Sequence, residues 1–300
     1  MRNLLSEILP QRPMVGRGQA PSSTVFTLKD VVMQLSEITE YQDQLVQQLE
    51  ESGLNVSFGD DLSVLLKTYE AATGTGYVQL PFVIDDPKDA NPYNFWVCFD
   101  DGTAPVALTG FRTMQNGSAV RRVGEAYSEG ALYRCKQKEG WLPETGPELP
   151  PHALFGYIGA GWVHPRYRGH NLAGFIARIA QAEALLRTRG TLAMSTAMTA
   201  EALYLSGMNL RASGLHHLHV ELVLDGYLGI AEHDMRLYLS HSTGAELMSF
   251  YERELAMLRK DETIPWLHQH DKIHAAAVLA GEESISPDAS APTSGMAALA

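Results

Sequence analysis

The chain has 300 residues, 45% of them apolar, enough for one large domain or two small ones. Its net charge of −12 opposes nucleic-acid binding, which requires neutralised phosphates, and opposes adhesion to an anionic membrane. Cys98 and Cys135 are the only cysteines, too few for a disulfide framework and in no metal-ligand spacing.

The opening MRNLLSEILPQRP has an apolar run broken by Ser6 and Glu7, too short and too polar for a secretory signal. No window approaches the apolar length of a membrane span, so a cytoplasmic protein is expected. Residues 1–26 mix Pro, Gly, Ser and Arg and read as a flexible lead-in. From Thr27 to Ser52, Leu28, Val31, Val32, Leu35, Ile38, Leu45, Val46 and Leu49 recur at three and four, predicting a helix closed by Gly53. A second helix is predicted from Asp60 to about Ala72, capped by Asp60 or Asp61, with Leu62, Leu65, Leu66 and Tyr69 inward.

Tyr77–Ile84 reads as a strand, before DDPKDANP breaks the pattern. Phe95–Phe99 and Val106–Met114, separated by Asp100, Asp101 and Gly102, read as an antiparallel hairpin. Residues 116–150 are rich in glycine, proline and charge and are expected to be an insertion or lid.

The centre of the chain is Phe155–Gly190. A strand over Ala153–Val163 is interrupted by Gly156, Gly159 and Gly161, which mark a bulge or a close approach by a ligand. A basic turn over Pro165–Ala173 then leads into a helix over Leu172–Thr188. Amides at a helix N-terminus lack intrahelical acceptors and carry the positive end of the dipole, so this turn is laid out to hold a diphosphate. Arg168 adds charge, Gly169 removes a Cβ, and Asn171 and Ala173 keep the first helical turn narrow. Further on, Thr191–Met198 is predicted as a strand and Ala197–Met208 as a helix. His216–Leu224 and Met235–Ser240 are the closing strands with Asp225-Gly226 between them, and Glu246–Lys260 is a helix. Residues 261–300 form an extension, expected to be disordered after about residue 281.

The run YRGHNLAGFIARIA resembles the acyl-CoA-binding motif of the GNAT acyltransferase superfamily. Arg168, Asn171 and Ala173 take the places of its Arg or Gln, its first Gly, and its Gly or Ala; Asn171 departs from the usual glycine. WVHP matches the family's strand-ending valine and loop-opening proline. The resemblance implies one domain over residues 27–260 of the α/β (α+β) class, with a mixed, mostly antiparallel central sheet flanked by helices and a splayed strand pair binding acyl-CoA. Val163, Arg168, Gly169, His170, Asn171, Leu172 and Ala173 would bind the co-substrate, acetyl-CoA or another acyl-CoA.

It also implies N-acyltransfer to a small-molecule or protein amine, with strand amides polarising the thioester carbonyl. In AMTAEALYLSGM, Ala200, Ala202 and Tyr204 fit the family's next helix, with Ala197 in place of its asparagine and Gly207-Met208 one residue early. Tyr204 would be the general acid that protonates the leaving thiolate. An alkyl amine of pKa about 10 needs a base, and Glu201, His164 and Glu221 lie in suitable regions. Two rivals stay open: an N-acyl amino acid or acyl-homoserine-lactone type synthase using a longer chain, and a non-catalytic GNAT-shaped binding protein. The histidine groups His216, His217, His219 and His268, His270, His274 lack an H-E-x-x-H pattern, so no metal is expected; there is no G-x-S-x-G elbow and no dinucleotide-type G-x-G-x-x-G.

Overall fold

The structure, a computed structural model, describes residues 28–74, 80–83, 91–132, 140–201, 215, 217–228, 233–260, 262 and 264. Helix α1 (Leu28–Glu51) buries Ile38, Tyr41, Leu45 and Leu49, which its three-and-four spacing places on one face. Gly53, at φ 84°, turns the chain off the helix, its N–H on the Glu50 carbonyl and that of Leu54 on the Leu49 carbonyl. Strand β1 (Asn55–Gly59) and helix α2 (Leu62–Thr73) follow. Asp61 caps α2, its carboxylate accepting the Ser63 N–H at 2.8 Å.

Of the strand expected at Tyr77–Ile84, only residues 80–83 are described, and there Leu80–Phe82 forms a 3-10 turn. Pro81 cannot donate to a ladder; its carbonyl instead accepts from the buried Arg112 guanidinium at 2.6 Å. The hairpin of β2 (Phe95–Asp100) and β3 (Pro105–Gln115) forms as expected, with Phe95 opposite Phe111.

After β3 come β4 (Arg121–Arg122), α3 (Val123–Ser128), β5 (Glu148–Leu149), β6 (Leu154–Val163), α4 (Leu172–Arg187), β7 (Leu192–Ala200), β8 (His219–Leu228), β9 (His233–Thr243) and α5 (Gly244–Leu258). Within 116–150, expected as an insertion or lid, the described residues are packed: β4 pairs with β5, and α3 buries Val123, Ala126 and Tyr127. Gly140–Gly146 runs along the outer edge of β8, with Leu142 N–H on Val223 O at 2.9 Å and Asp225 N–H on Gly140 O at 2.8 Å, so that edge is covered. Two expectations are corrected here. Asp225-Gly226 lies inside β8, paired with Arg236 and Met235. A Cβ on Gly226 would stand 3.0 Å from Gly140 Cα, so the glycine serves a close backbone approach rather than a turn. Finally, Ala197–Ala200 continues β7 in pairing with β9 instead of opening a helix; the rest of that expected helix, Tyr204 included, lies outside the described residues.

The seven-stranded sheet has the order β1-β2-β3-β6-β7-β9-β8, antiparallel throughout except for the parallel pair β6–β7. One core lies under α1, α4 and α5, the other under α2 and α3. In the first, Arg178 of α4 is fully buried and donates to both carboxylate oxygens of Glu254 of α5, at 3.1 and 3.2 Å. Tyr41 of α1 donates its hydroxyl to the same carboxylate. Burial opposes the charge on Arg178, yet Glu254 and its neighbours hold the guanidinium pKa above its ordinary value. Removing one partner leaves a buried charge without its counterion. Glu254→Ala is therefore expected to lower the unfolding free energy by about 3–5 kcal/mol in urea titration, and Arg178→Met with Glu254→Leu to recover most of it.

Candidate active site

Strands β6 and β7 pair only from Leu154–Tyr157 against Leu192–Thr196. Beyond Tyr157 and Thr196 they part: β6 stays with β3, and β7 stays with β9. Opposite the gap β6 carries a bulge. Leu108 pairs with Trp162 and Gly110 with Gly159, so Ala160 and Gly161 together face the single residue Thr109. Ala160 takes φ 52°, a left-handed conformation that costs an alanine strain. Thr109 donates its hydroxyl to the Gly159 carbonyl at 2.9 Å, satisfying an acceptor inside the bulge.

The parted strands open a cleft of about 210 Å³. Ile158, Trp162, Val163, Met198 and Ala197 line it from the strands, Ala173, Ile176 and Ala177 from α4, and Leu215 from the segment before β8. The lining is apolar and rich in small residues, which suits a thin, mostly aliphatic ligand arm. Two larger cavities, of 490 and 780 Å³, open elsewhere among charged and polar side chains and touch neither parted strand edge.

At the cleft's end lies the basic turn. Gly169, at φ 89°, and Asn171, at φ 62°, are both left-handed. No atom lies within 4 Å of a Cβ built on Gly169, so its backbone, and not a neighbour, calls for glycine. Asn171 is the residue at the helix cap and its side chain bonds no helix amide, leaving the N–H groups of Leu172 and Ala173 ahead of the first intrahelical bonds, which Gly174 and Phe175 make to the Asn171 carbonyl. Arg168 is exposed, its Nε reaching the Val163 carbonyl at 3.4 Å. His170 Nδ1 is buried with no partner among the described residues.

The turn is anchored from beneath. Tyr167 is buried and donates its hydroxyl to Asp101 Oδ2 at 2.9 Å. His164 N–H bonds the Val106 carbonyl at 2.8 Å, so the loop hangs from the β2–β3 hairpin. Burial and the carboxylate bond push the Tyr167 phenol up to about 12. Burial also acts to raise Asp101, but hydrogen bonds from Thr103, Ala104 and Tyr167 outweigh it and bring it down to about 2.

The sequence matches no family model and no curated protein. Among solved structures, the chain is similar to a GNAT-family acetyltransferase from Streptococcus pneumoniae at 10% identity and TM-score 0.37, over 63% of this chain and 98% of that one. It is similar to Arabidopsis thaliana NAA60 in complex with acetyl-CoA at 11% identity and TM-score 0.37, over 63% and 98%. An aminoglycoside N(6')-acetyltransferase from Legionella pneumophila matches at 9% identity and TM-score 0.34, over 65% and 95%. The fold is of the mixed α/β class, a seven-stranded, mostly antiparallel sheet flanked by helices. TM-scores and identities this low say nothing of this chain's family or of what it binds.

Of the residues expected at a co-substrate site, Val163 and Ala173 line the cleft, and Arg168, Gly169, His170 and Asn171 form the turn at its end. Leu172 points its side chain into the core, 1% exposed, and offers only its amide. The three suggested bases are engaged otherwise. Glu201 is paired with Arg236 at 3.1 Å. Glu221 accepts from Gly146 N–H at 3.1 Å and meets His241 Nε2 at 3.3 Å. His164 Nδ1 accepts the Arg166 N–H at 3.2 Å, and burial, then Arg166, lowers its pKa. Thr109, Trp162, Ile176, Ala177, Met198 and Leu215 were not legible as site residues, because each reads locally as ordinary strand or helix core.

Two outcomes are expected. Ala160→Gly leaves stability unchanged or raised, whereas Ala160→Val loses about 1–3 kcal/mol in denaturant titration. Asp101 is depressed in the folded state, so its stabilisation is present above its unfolded pKa of about 3.9 and lost as pH falls through about 2. The gap in unfolding free energy between wild type and Asp101→Asn, measured from pH 7 downward, should shrink across that window.

Proposed function

We propose that the cleft binds an acyl-CoA and that the protein transfers its acyl group, most simply acetyl, to an amine. The observation that supports this reading is one juxtaposition: an apolar cleft between parted strands, ending at a helix N-terminus preceded by two left-handed residues and an arginine. The α4 amides and Arg168 would hold the diphosphate, where charge-assisted bonds and the helix dipole act together. The arm would run between Ala173, Ala177 and Ala197, whose short side chains leave room for it. The edge of β6 that no longer pairs with β7 carries peptide groups beside the cleft, and its N–H groups would stabilise the oxyanion.

In the transfer the amine nitrogen attacks the thioester carbonyl carbon, the C–S bond breaks, the nitrogen gives up a proton and the thiolate takes one. Tyr204 is the proposed donor to the thiolate, as a tyrosine does in the resembled family. Glu201, Glu221 and His164 each hold a structural partner, so a water held near the acceptor is the proposed first recipient of the amine proton. The acceptor itself is a small-molecule or protein amine.

Acetyl-CoA at about a hundredfold above its Kd should add about 2.7 kcal/mol of stability, read as a rise in melting temperature. Arg168→Glu, at an exposed position with one long bond, should fold as wild type and abolish that rise. Release of free thiol with a panel of amines then tests catalysis; a melting shift with no thiol release from any amine would leave a binding protein. No shift with any acyl-CoA would sink the reading.

A further inference from the structure

His217, 3% exposed, lies just ahead of β8. The β8–β9 ladder begins only at His219 opposite His241, and before it the chain is held through side chains. His217 Nδ1 meets Ser240 Oγ of β9 at 2.8 Å. Its Nε2 meets Ser195 Oγ of β7 at 3.2 Å and Gln181 Nε2 of α4 at 3.0 Å. Leu218 N–H donates to Ser242 Oγ at 2.9 Å. With the Gln181 amide as donor, Nε2 accepts, and the ring proton sits on Nδ1 toward Ser240.

These partners meet where the cleft closes. Ala173, Ile176 and Ala177 of α4 form one wall, and Leu215, two residues before His217, belongs to the other. Gln181 lies one helical turn beyond Ala177. Ser195, which also accepts from Gln181 Nε2 at 3.2 Å, directly precedes Thr196, the last β7 residue paired with β6. The bridge Gln181–His217–Ser195 therefore spans from wall to wall at the vertex of the parted strands. It carries a cost, since Gln181 Oε1 is buried without a partner among the described residues. An apolar pair would avoid that cost but would give no directional link between the walls.

We infer that His217 is a positioning residue for the cleft: its bridge to Gln181 clamps the Leu215 wall to α4 and sets the cleft's width for a thin thioester arm. The inference rests on the acyl-CoA reading of the same cleft. A wall released from α4 must be ordered again when the ligand enters, so its loss weakens binding rather than chemistry.

The test uses the full chain, with His217→Ala, His217→Gln and Ser240→Ala compared with wild type. Amide hydrogen exchange of residues 217–222 is read without ligand, and the Kd of acetyl-CoA by calorimetry. His217→Ala should exchange faster there while the β2–β3 hairpin stays as in wild type, and should bind acetyl-CoA about tenfold more weakly. His217→Gln, which can still meet the Gln181 amide, should restore both. Ser240→Ala keeps the imidazole and loses one bond, so it should move both readouts in the same direction but less, and it serves where His217→Ala does not fold. A lowered melting temperature with exchange and Kd as in wild type would reduce His217 to core packing and overturn the inference. If wild type itself does not bind acetyl-CoA, the acyl-CoA reading falls, and exchange alone decides whether the bridge holds the wall; unchanged exchange overturns it.

Discussion

The candidate site exists because two strands at the centre of the sheet stop pairing after Tyr157 and Thr196. A strand edge without its neighbour leaves peptide groups that must find other partners, and such an edge inside a sheet is costly unless something else keeps the strands apart. Here the strain is taken up by β6. Its bulge opposite Thr109 and the left-handed Ala160 hold β6 to β3, while β7 stays in register with β9 through Ala200. Each strand keeps its other partner, so the opening costs the sheet only the far part of one ladder.

The point of parting is pinned on both faces. On the α2–α3 side, Tyr127 shares a hydrogen bond with the Thr196 hydroxyl, which donates to the Gly156 carbonyl at 2.8 Å. On the α4 side, Gln181, His217 and Ser195 meet. Both sets are buried polar networks, directional where apolar packing is not, and both act on residues of the last paired rungs. The gap is thus a built feature with a defined start, and the cleft inherits its shape from it.

Support for the cleft comes from farther away. The Arg178–Glu254–Tyr41 cluster ties α4 to α5 and α1, which fixes the helix whose N-terminus faces the proposed diphosphate. The Tyr167–Asp101 bond fixes the turn ahead of it to the β2–β3 hairpin. A helix end that binds anions must be held in place before the ligand arrives, because ordering it at binding would consume affinity.

By itself the sequence determined the elements whose signals are local. Periodicity marked α1, α2 and α4, Asp60 or Asp61 marked a cap, Asp100-Asp101-Gly102 marked the hairpin, and the basic turn with Gly169 and Asn171 marked the approach to a helix N-terminus. In each, backbone preference and side-chain period over a few residues carry the information. Only the tertiary structure decided where β7 ends, that Asp225-Gly226 lies inside a strand, that residues 140–146 run along β8, that Thr109 lines the cleft, and that Gln181 meets His217. Those outcomes depend on partners separated along the chain, and pairing with another strand or a buried hydroxyl overrides what the local residues favour on their own.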